Sequence, residues 1–464
     1  MAPQARTLMI LLAVSFFVSY VQAASYWYGF WLAHPDDNLV WDIPDGQPKT
    51  NEEFENMLRS DTRHVYASRT DAIGEQGSTW WIVAFLDENV FNQKYNGLSL
   101  VRAAGIYRPS DALPENGFSG DVSSTASTAS DRTATRLRRA LQYDAPRHLK
   151  FVSMPKPANN DLDNEHYYSY EDSAGSSVRV YVVDEGINLE SSEWTANGRP
   201  EPDWIFVGPW ATGQKVDLDP EGHGTCMADL AAGAVNGVAK KSDITAVSVD
   251  LTTNDILVQL QWLLHVDALA KIVDDIADRG IGDRAVLLIA LTIPRNAGPT
   301  NHAAFVDVYS TLLKELDSRG VSLVVAMPNG EKCVDMWPCI FGDPDNDHHI
   351  PNLIVVGSSD INTGHYDEPE ENRNDWTTIY GPGADSALID SAQPGPILCA
   401  DKMGDRNSLH KSGASPATAI VAGLMAYFKG MGFSNDVARN WLKSNAYARD
   451  PDGPNMPWNG YIPH

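Results

Sequence analysis

Five short apolar runs, rich in valine and leucine, recur at residues 178–183, 244–249, 285–291, 322–326 and 353–356. None alternates cleanly between apolar and polar residues, as a strand with one wet face would. Helical patterns lie between them. Residues 225–234 place Met227, Leu230 and Ala231 on one face. Residues 256–277 carry Leu260, Leu263, Leu264 and Ile276. Residues 303–316 carry Phe305, Leu312, Leu313 and Leu316 and stop before Gly320, a natural helix end. Short strands buried on both sides and alternating with helices predict an α/β fold over residues 140–464: a parallel sheet covered by helices on both faces. Binding and catalysis in such sheets take place at the carboxyl ends of the strands.

The N-terminal part reads differently. Arg6 precedes an apolar run over residues 8–21, too short to span a bilayer comfortably, and Val21-Gln22-Ala23 offers small residues for cleavage. Residues 1–23 are therefore expected to be a signal peptide, and the product to be secreted and free of membrane segments. Residues 24–108 give strand, helix, strand, strand, helix, strand at 26–33, 51–58, 64–68, 79–86, 88–95 and 98–107, the order of a small ferredoxin-like α+β unit. Residues 109–139 form a linker. Its Ser123-Ser124-Thr125-Ala126-Ser127-Thr128 has no apolar period, and it ends in Arg136-Leu137-Arg138-Arg139, a dibasic pair suited to processing or simply a solvated charge cluster.

Lys and Arg total 35 against 61 Asp and Glu, a net charge of −26, which excludes nucleic acid as a partner. The four cysteines suit an oxidising compartment and allow three pairings. Cys333 and Cys339 are close enough for a local bridge, and Cys226 and Cys399 either pair or stay free. Their spacing does not match a zinc site, no EF-hand loop is present, and no Asn-x-Ser/Thr sequon occurs. No metal ligands are assigned.

Three distant segments carry chemistry. Asp184 follows the first apolar run in Val182-Val183-Asp184-Glu185-Gly186. His223 lies in Gly222-His223-Gly224-Thr225. Ser415 lies in Ser412-Gly413-Ala414-Ser415-Pro416-Ala417-Thr418, with Pro416 suited to a first helical position. Singly, these read as a turn aspartate, a loop histidine and a helix cap. Together they supply a nucleophile, a base to take its proton and a carboxylate to orient the base, in the chain order Asp, His, Ser. The helix opened by Ser415 would favour a developing oxyanion through its N-terminal partial charge and the Ser415 N–H.

These segments resemble those of subtilase serine endopeptidases, proteinase K-like members in particular. Tyr167-Tyr168-Ser169-Tyr170, Ser173-Ala174-Gly175 and Asn236-Gly237-Val238-Ala239-Lys240-Lys241 extend the likeness across residues 140–464. The resemblance implies a subtilisin-like catalytic domain that cleaves protein or peptide substrates as a monomer, with residues 24–108 as an inhibitory prodomain of a zymogen. It implies no required cofactor, with Ca²⁺ as an optional structural ion. It assigns Asn329, in Val324-Val325-Ala326-Met327-Pro328-Asn329-Gly330, as second oxyanion donor, and places Thr292 in the substrate-binding segment Ala290-Leu291-Thr292-Ile293-Pro294. The sequence also departs from the family. Glu185 replaces a Ser or Thr, Cys226 a second His, and Pro294 a Gly, and the Gly-rich segment expected near residues 252–255 is missing. Two other readings use the same residues: a binding protein on this scaffold with little hydrolysis, and an esterase or amidase for small substrates.

Overall fold

A computed structural model describes residues 25–32, 47–48, 50–62, 65–73, 77–87, 90–95, 98 and 101–107, and then 139–155, 162, 167–195, 199–208, 211, 213–249, 254–295, 302–387, 396–403 and 409–460. The expected signal peptide and the linker up to Arg138 lie outside the described residues, as do residues 250–253. Among the described residues no helix is long and apolar enough to cross a membrane. The chain divides into two compact units.

The smaller unit runs β1 (Ser25–Leu32), α1 (Asn51–Asp61), β2 (Val65–Ile73), β3 (Gly77–Asp87), one π turn (Phe91–Tyr95) and β4 (Val101–Tyr107). The strands lie in the order β2-β3-β1-β4, with β1 antiparallel to both neighbours. Thr50 caps α1 by accepting the Glu53 N–H at 3.1 Å. Phe54 and Leu58, one helical turn apart, are both fully buried, and Tyr95 packs its ring edge-on against Phe54 at 5.9 Å. Of the helix expected at 88–95, residues 88–89 lie outside the described residues and Phe91–Tyr95 form the π turn. A run that short cannot sustain itself on helical hydrogen bonds, so packing of Phe91 and Tyr95 decides its shape.

The larger unit contains β5 (Arg139–Tyr143), α2 (Arg147–Ser153), β6 (Tyr167–Glu171), β7 (Arg179–Asp184), α3 (Ser192–Thr195), β8 (Asp203–Val207), α4 (His223–Ala232), β9 (Asp243–Val249), α5 (Asn254–Arg279), β10 (Ala285–Ile289), β11 (Ile293–Pro294), α6 (His302–Ser318), β12 (Ser322–Ala326), β13 (Met336–Trp337), β14 (Ile354–Asp360), β15 (Ile379–Ala384), β16 (Ile397–Cys399), β17 (Leu409–Lys411), α7 (Ala414–Gly430) and α8 (Asn435–Asn445). Seven strands form one sheet in the order β15-β14-β12-β10-β7-β9-β8, and every neighbouring pair is parallel. The five apolar runs are the interior strands β7, β9, β10, β12 and β14. The two edges, β8 and β15, had no such signature. Most of β8 is only half-buried, and Gly381, Pro382 and Gly383 in β15 read as breakers. An edge strand tolerates proline because its missing N–H can face outward.

Side-chain parity on β7 sorts the two faces of the sheet. Val180 and Val182 join the core built with α4 and α7, whereas Tyr181 points the other way and donates to Asp275 Oδ2 of α5 at 2.7 Å. Val286, Leu288 and Ala290 after β10, and Val324 on β12, share the α4/α7 side. The α7 helix is buried all round from Pro416 to Lys429, as expected of a helix with no polar stripe. By the same parity Asp184 faces the side on which α4 and α7 begin.

Candidate active site

Asp184 ends β7 and is 1 % exposed. Its Oδ2 lies 2.8 Å from Nδ1 of His223, the first residue of α4, and its Oδ1 accepts the Glu185 N–H at 2.9 Å. A carboxylate at Nδ1 keeps the imidazole proton there and leaves Nε2 as acceptor. Burial works against a charged His223, but the charge and hydrogen bond of Asp184 outweigh it and raise its pKa above the ordinary value. The backbone approaching His223 is clamped by Asp219, whose Oδ2 accepts the N–H groups of Glu221 at 2.9 Å, Gly222 at 2.5 Å and His223 at 2.9 Å. Burial opposes its charge, yet these donors hold the Asp219 carboxyl below its usual range. Its place four residues before the histidine was a legible signal that sequence reasoning passed over.

Gly224 lets α4 approach β7. A Cβ there would lie 2.1 Å from the Gly186 carbonyl oxygen and 3.0 Å from Asp184 Cβ. Gly224→Ala is therefore expected to cost about 1–3 kcal/mol, the range for overpacking, in urea unfolding, and to weaken the Asp184–His223 bond. Unfolding midpoints equal to those of the wild type would contradict the tight approach.

Ser415 reaches the same edge of the sheet from α7. Ile289 pairs with Val183, so Ala290 stands at the level of Asp184, one strand away (about 4.8 Å). The Ser415 hydroxyl donates to the Ala290 carbonyl at 2.9 Å. The helix begins earlier than its sequence suggests: Ala414 is its first residue, Ser415 its second and Pro416 its third, with Gly413 as cap. Proline costs nothing there, because N–H groups of the first turn have no intrahelical acceptor, and the Ser415 N–H shares that property.

Asn329 follows β12 and is exposed. Its Oδ1 accepts the Ala414 N–H at 2.9 Å, which turns its Nδ2 into the outward donor. Gly413 adopts φ +101°, and a Cβ there would come within 2.5 Å of Asn329 Oδ1, so only glycine lets the amide lie against this turn.

Thr292 is placed differently from these four. It is 1 % exposed and its hydroxyl makes no hydrogen bond, so any contact with a substrate would have to be made by its backbone. The next residues, Ile293 and Pro294, are paired antiparallel with Trp337 and Met336. Both disulfides form, Cys226–Cys399 and Cys333–Cys339. Among the described residues no group of three or more His, Cys, Asp or Glu side chains could hold a metal ion.

Glu185 sits beside this constellation. Burial, followed by the carboxylates of Asp184, Asp219 and Asp217, lifts its carboxyl from 4.5 to about 8. A raised carboxyl stabilises the fold fully below its unfolded pKa, and that contribution is lost as pH rises through the folded one. Glu185→Gln should therefore gain stability relative to wild type between about pH 4.5 and 8. Thermal unfolding of both proteins at pH 5 and pH 9 checks this; a difference independent of pH would count against it.

A parallel α/β sheet whose carboxyl edge gathers an Asp–His pair, a helix-borne serine and an asparagine amide, in the chain order Asp, His, Ser, defines the subtilisin-like class. The chain belongs to the subtilase family, whose sequence model, Peptidase_S8, matches residues 175–457. Subtilisin-like protease 2 of Trichophyton rubrum is 29 % identical over 286 residues, 60 % of this chain and 56 % of that one. Subtilisin-like protease 1 of Pseudogymnoascus destructans is 30 % identical over 267 residues, 57 % of this chain and 55 % of that one. The chain thus spans about half the length of the curated relatives it matches. A solved cold-adapted subtilisin-like serine proteinase aligns with 69 % of this chain and 100 % of its own, at 20 % identity and a TM-score of 0.48.

Proposed function

We propose that this chain is a secreted serine endopeptidase, made as a zymogen, that hydrolyses peptide bonds through Asp184, His223, Ser415 and Asn329. One observation carries the reading: the 2.8 Å Asp184–His223 bond stands one strand from the carbonyl that holds the Ser415 hydroxyl. His223 Nε2 takes the hydroxyl proton as Oγ attacks the scissile carbonyl, and Asp184 stabilises the resulting imidazolium. The oxyanion accepts hydrogen bonds from the Ser415 N–H and Asn329 Nδ2. His223 then passes its proton to the leaving amine, and water resolves the acyl-enzyme by the same route. Residues 24–108 act as the intramolecular inhibitor, residues 1–23 direct secretion, and Ca²⁺ has at most a structural part. The mature enzyme works as a monomer on protein or peptide substrates. A fluorophosphonate probe should label Ser415 in folded, processed protein and fail to label His223→Ala. N-terminal sequencing of secreted wild type beside Ser415→Ala tests secretion and self-processing together.

A peptide-binding role without hydrolysis is favoured by a different observation. The segment that follows Ala290 is already paired through β11 and β13. That reading expects peptide binding that survives Ser415→Ala and no probe labelling of wild type.

A further inference from the structure

The hairpin of β16 and β17 touches both halves of the site. Its strands pair Cys399 with Leu409 and Ile397 with Lys411, and β17 ends four residues before Ser415. Cys399 is bonded to Cys226, three residues after His223 on α4. The chain leaving β16 then runs back along α4. Ala400 N–H donates to Asp229 Oδ2 at 2.8 Å, Lys402 N–H donates to the Glu221 carbonyl at 3.2 Å, and the Lys402 carbonyl accepts from Asn188 Nδ2 at 2.7 Å. From the other strand, Lys411 Nζ meets Glu221 Oε2 at 2.5 Å, two residues before His223.

These links have unequal strength. The Lys411–Glu221 pair is largely exposed, with Glu221 65 % accessible, and contributes little alone. The Lys402 N–H bond is long. The disulfide is the covalent member, and it ties the helix that starts at the histidine to the hairpin that leads into the serine. The position it uses on α4 is where the family's usual second histidine is replaced by cysteine.

We propose that the Cys226–Cys399 bridge is a positioning element that holds His223 in register with Ser415, so that breaking it lowers turnover in a chain that remains folded. The inference rests on the hydrolytic reading only for its rate readout. A second readout is independent of hydrolysis. Burial disfavours a protonated His223, Asp184 and Asp219 favour it, Lys411 also opposes it, and Glu185 lies within electrostatic reach. If the hairpin loosens, Lys411 recedes and His223 should titrate at higher pH.

The test compares wild type with Cys226→Ser/Cys399→Ser and, as a control, Cys333→Ser/Cys339→Ser, all well below their unfolding temperatures. NMR titration of the His223 ring should move upward only in the first variant. Its kcat should fall by between tenfold and about 10²-fold, the cost of misplacing a catalytic group by up to 1 Å, with KM little changed. Reduction and reoxidation of wild type should reproduce the loss and its recovery, while the first variant is indifferent to reductant. A folded, bridge-free protein with unchanged His223 titration and unchanged kcat overturns the proposal. A shifted titration in a protein whose wild type hydrolyses nothing supports the positioning role and removes the hydrolytic reading instead.

Discussion

Ser415→Ala is expected to lower kcat/KM on peptide substrates by about 10⁴-fold or more, with KM nearly unchanged, a loss whose size is drawn from subtilisin, a member of the same family. The argument is local. Ser415 is the one half-buried side chain in an otherwise buried stretch of α7, and its hydroxyl donates to the Ala290 carbonyl at 2.9 Å. Removing one oxygen there takes away a hydroxyl without opening a core cavity, so the fold should be spared while the nucleophile is lost. Unfolding midpoints within experimental error of wild type, beside the collapse in turnover, separate chemistry from stability. A variant that still cleaves peptides at the wild-type rate would remove Ser415 from the mechanism.

Asn329 allows a sharper dissection, because its two amide ends have different partners. Oδ1 accepts the Ala414 N–H at 2.9 Å, and Nδ2 is the donor left for an oxyanion. Asn329→Asp keeps an acceptor for Ala414 and loses the donor. Asn329→Leu loses both and leaves the Ala414 N–H unpaired, at about 1–3 kcal/mol. Both variants should drop kcat by about 10²–10³-fold, again a figure measured in subtilisin, with little change in KM. Only the leucine variant should also lose stability. Equal turnover in wild type and the aspartate variant would show that Nδ2 takes no part.

Much of this was legible in the sequence, for a physical reason. Strands buried on both faces must be apolar throughout, so β7, β9, β10, β12 and β14 declare themselves by composition. Asp184 could be placed at a strand end because the apolar run stops there. The edge strands β8 and β15 escaped because half-burial and a Gly-Pro-Gly run erase that signal. The start of α7 was misread by two residues, since Pro416 suggested a first helical position when the missing N–H is equally harmless at the third. Long-range partners were beyond reach. Nothing local to Cys226 names Cys399, and nothing in the Ala290 segment announces that its carbonyl holds the serine. Nor does anything near Pro294 announce that β11 pairs with β13.

Because α7 brings Ser415 against strands laid down much earlier, the proposed triad is completed late in chain order, by a helix that follows all seven strands of the sheet. A polypeptide still emerging from the ribosome would carry the proposed base and carboxylate but have no seated nucleophile. On the proposed mechanism it could not cleave its neighbours, or itself, until α7 is in place. On that reading, assembly order alone delays activity.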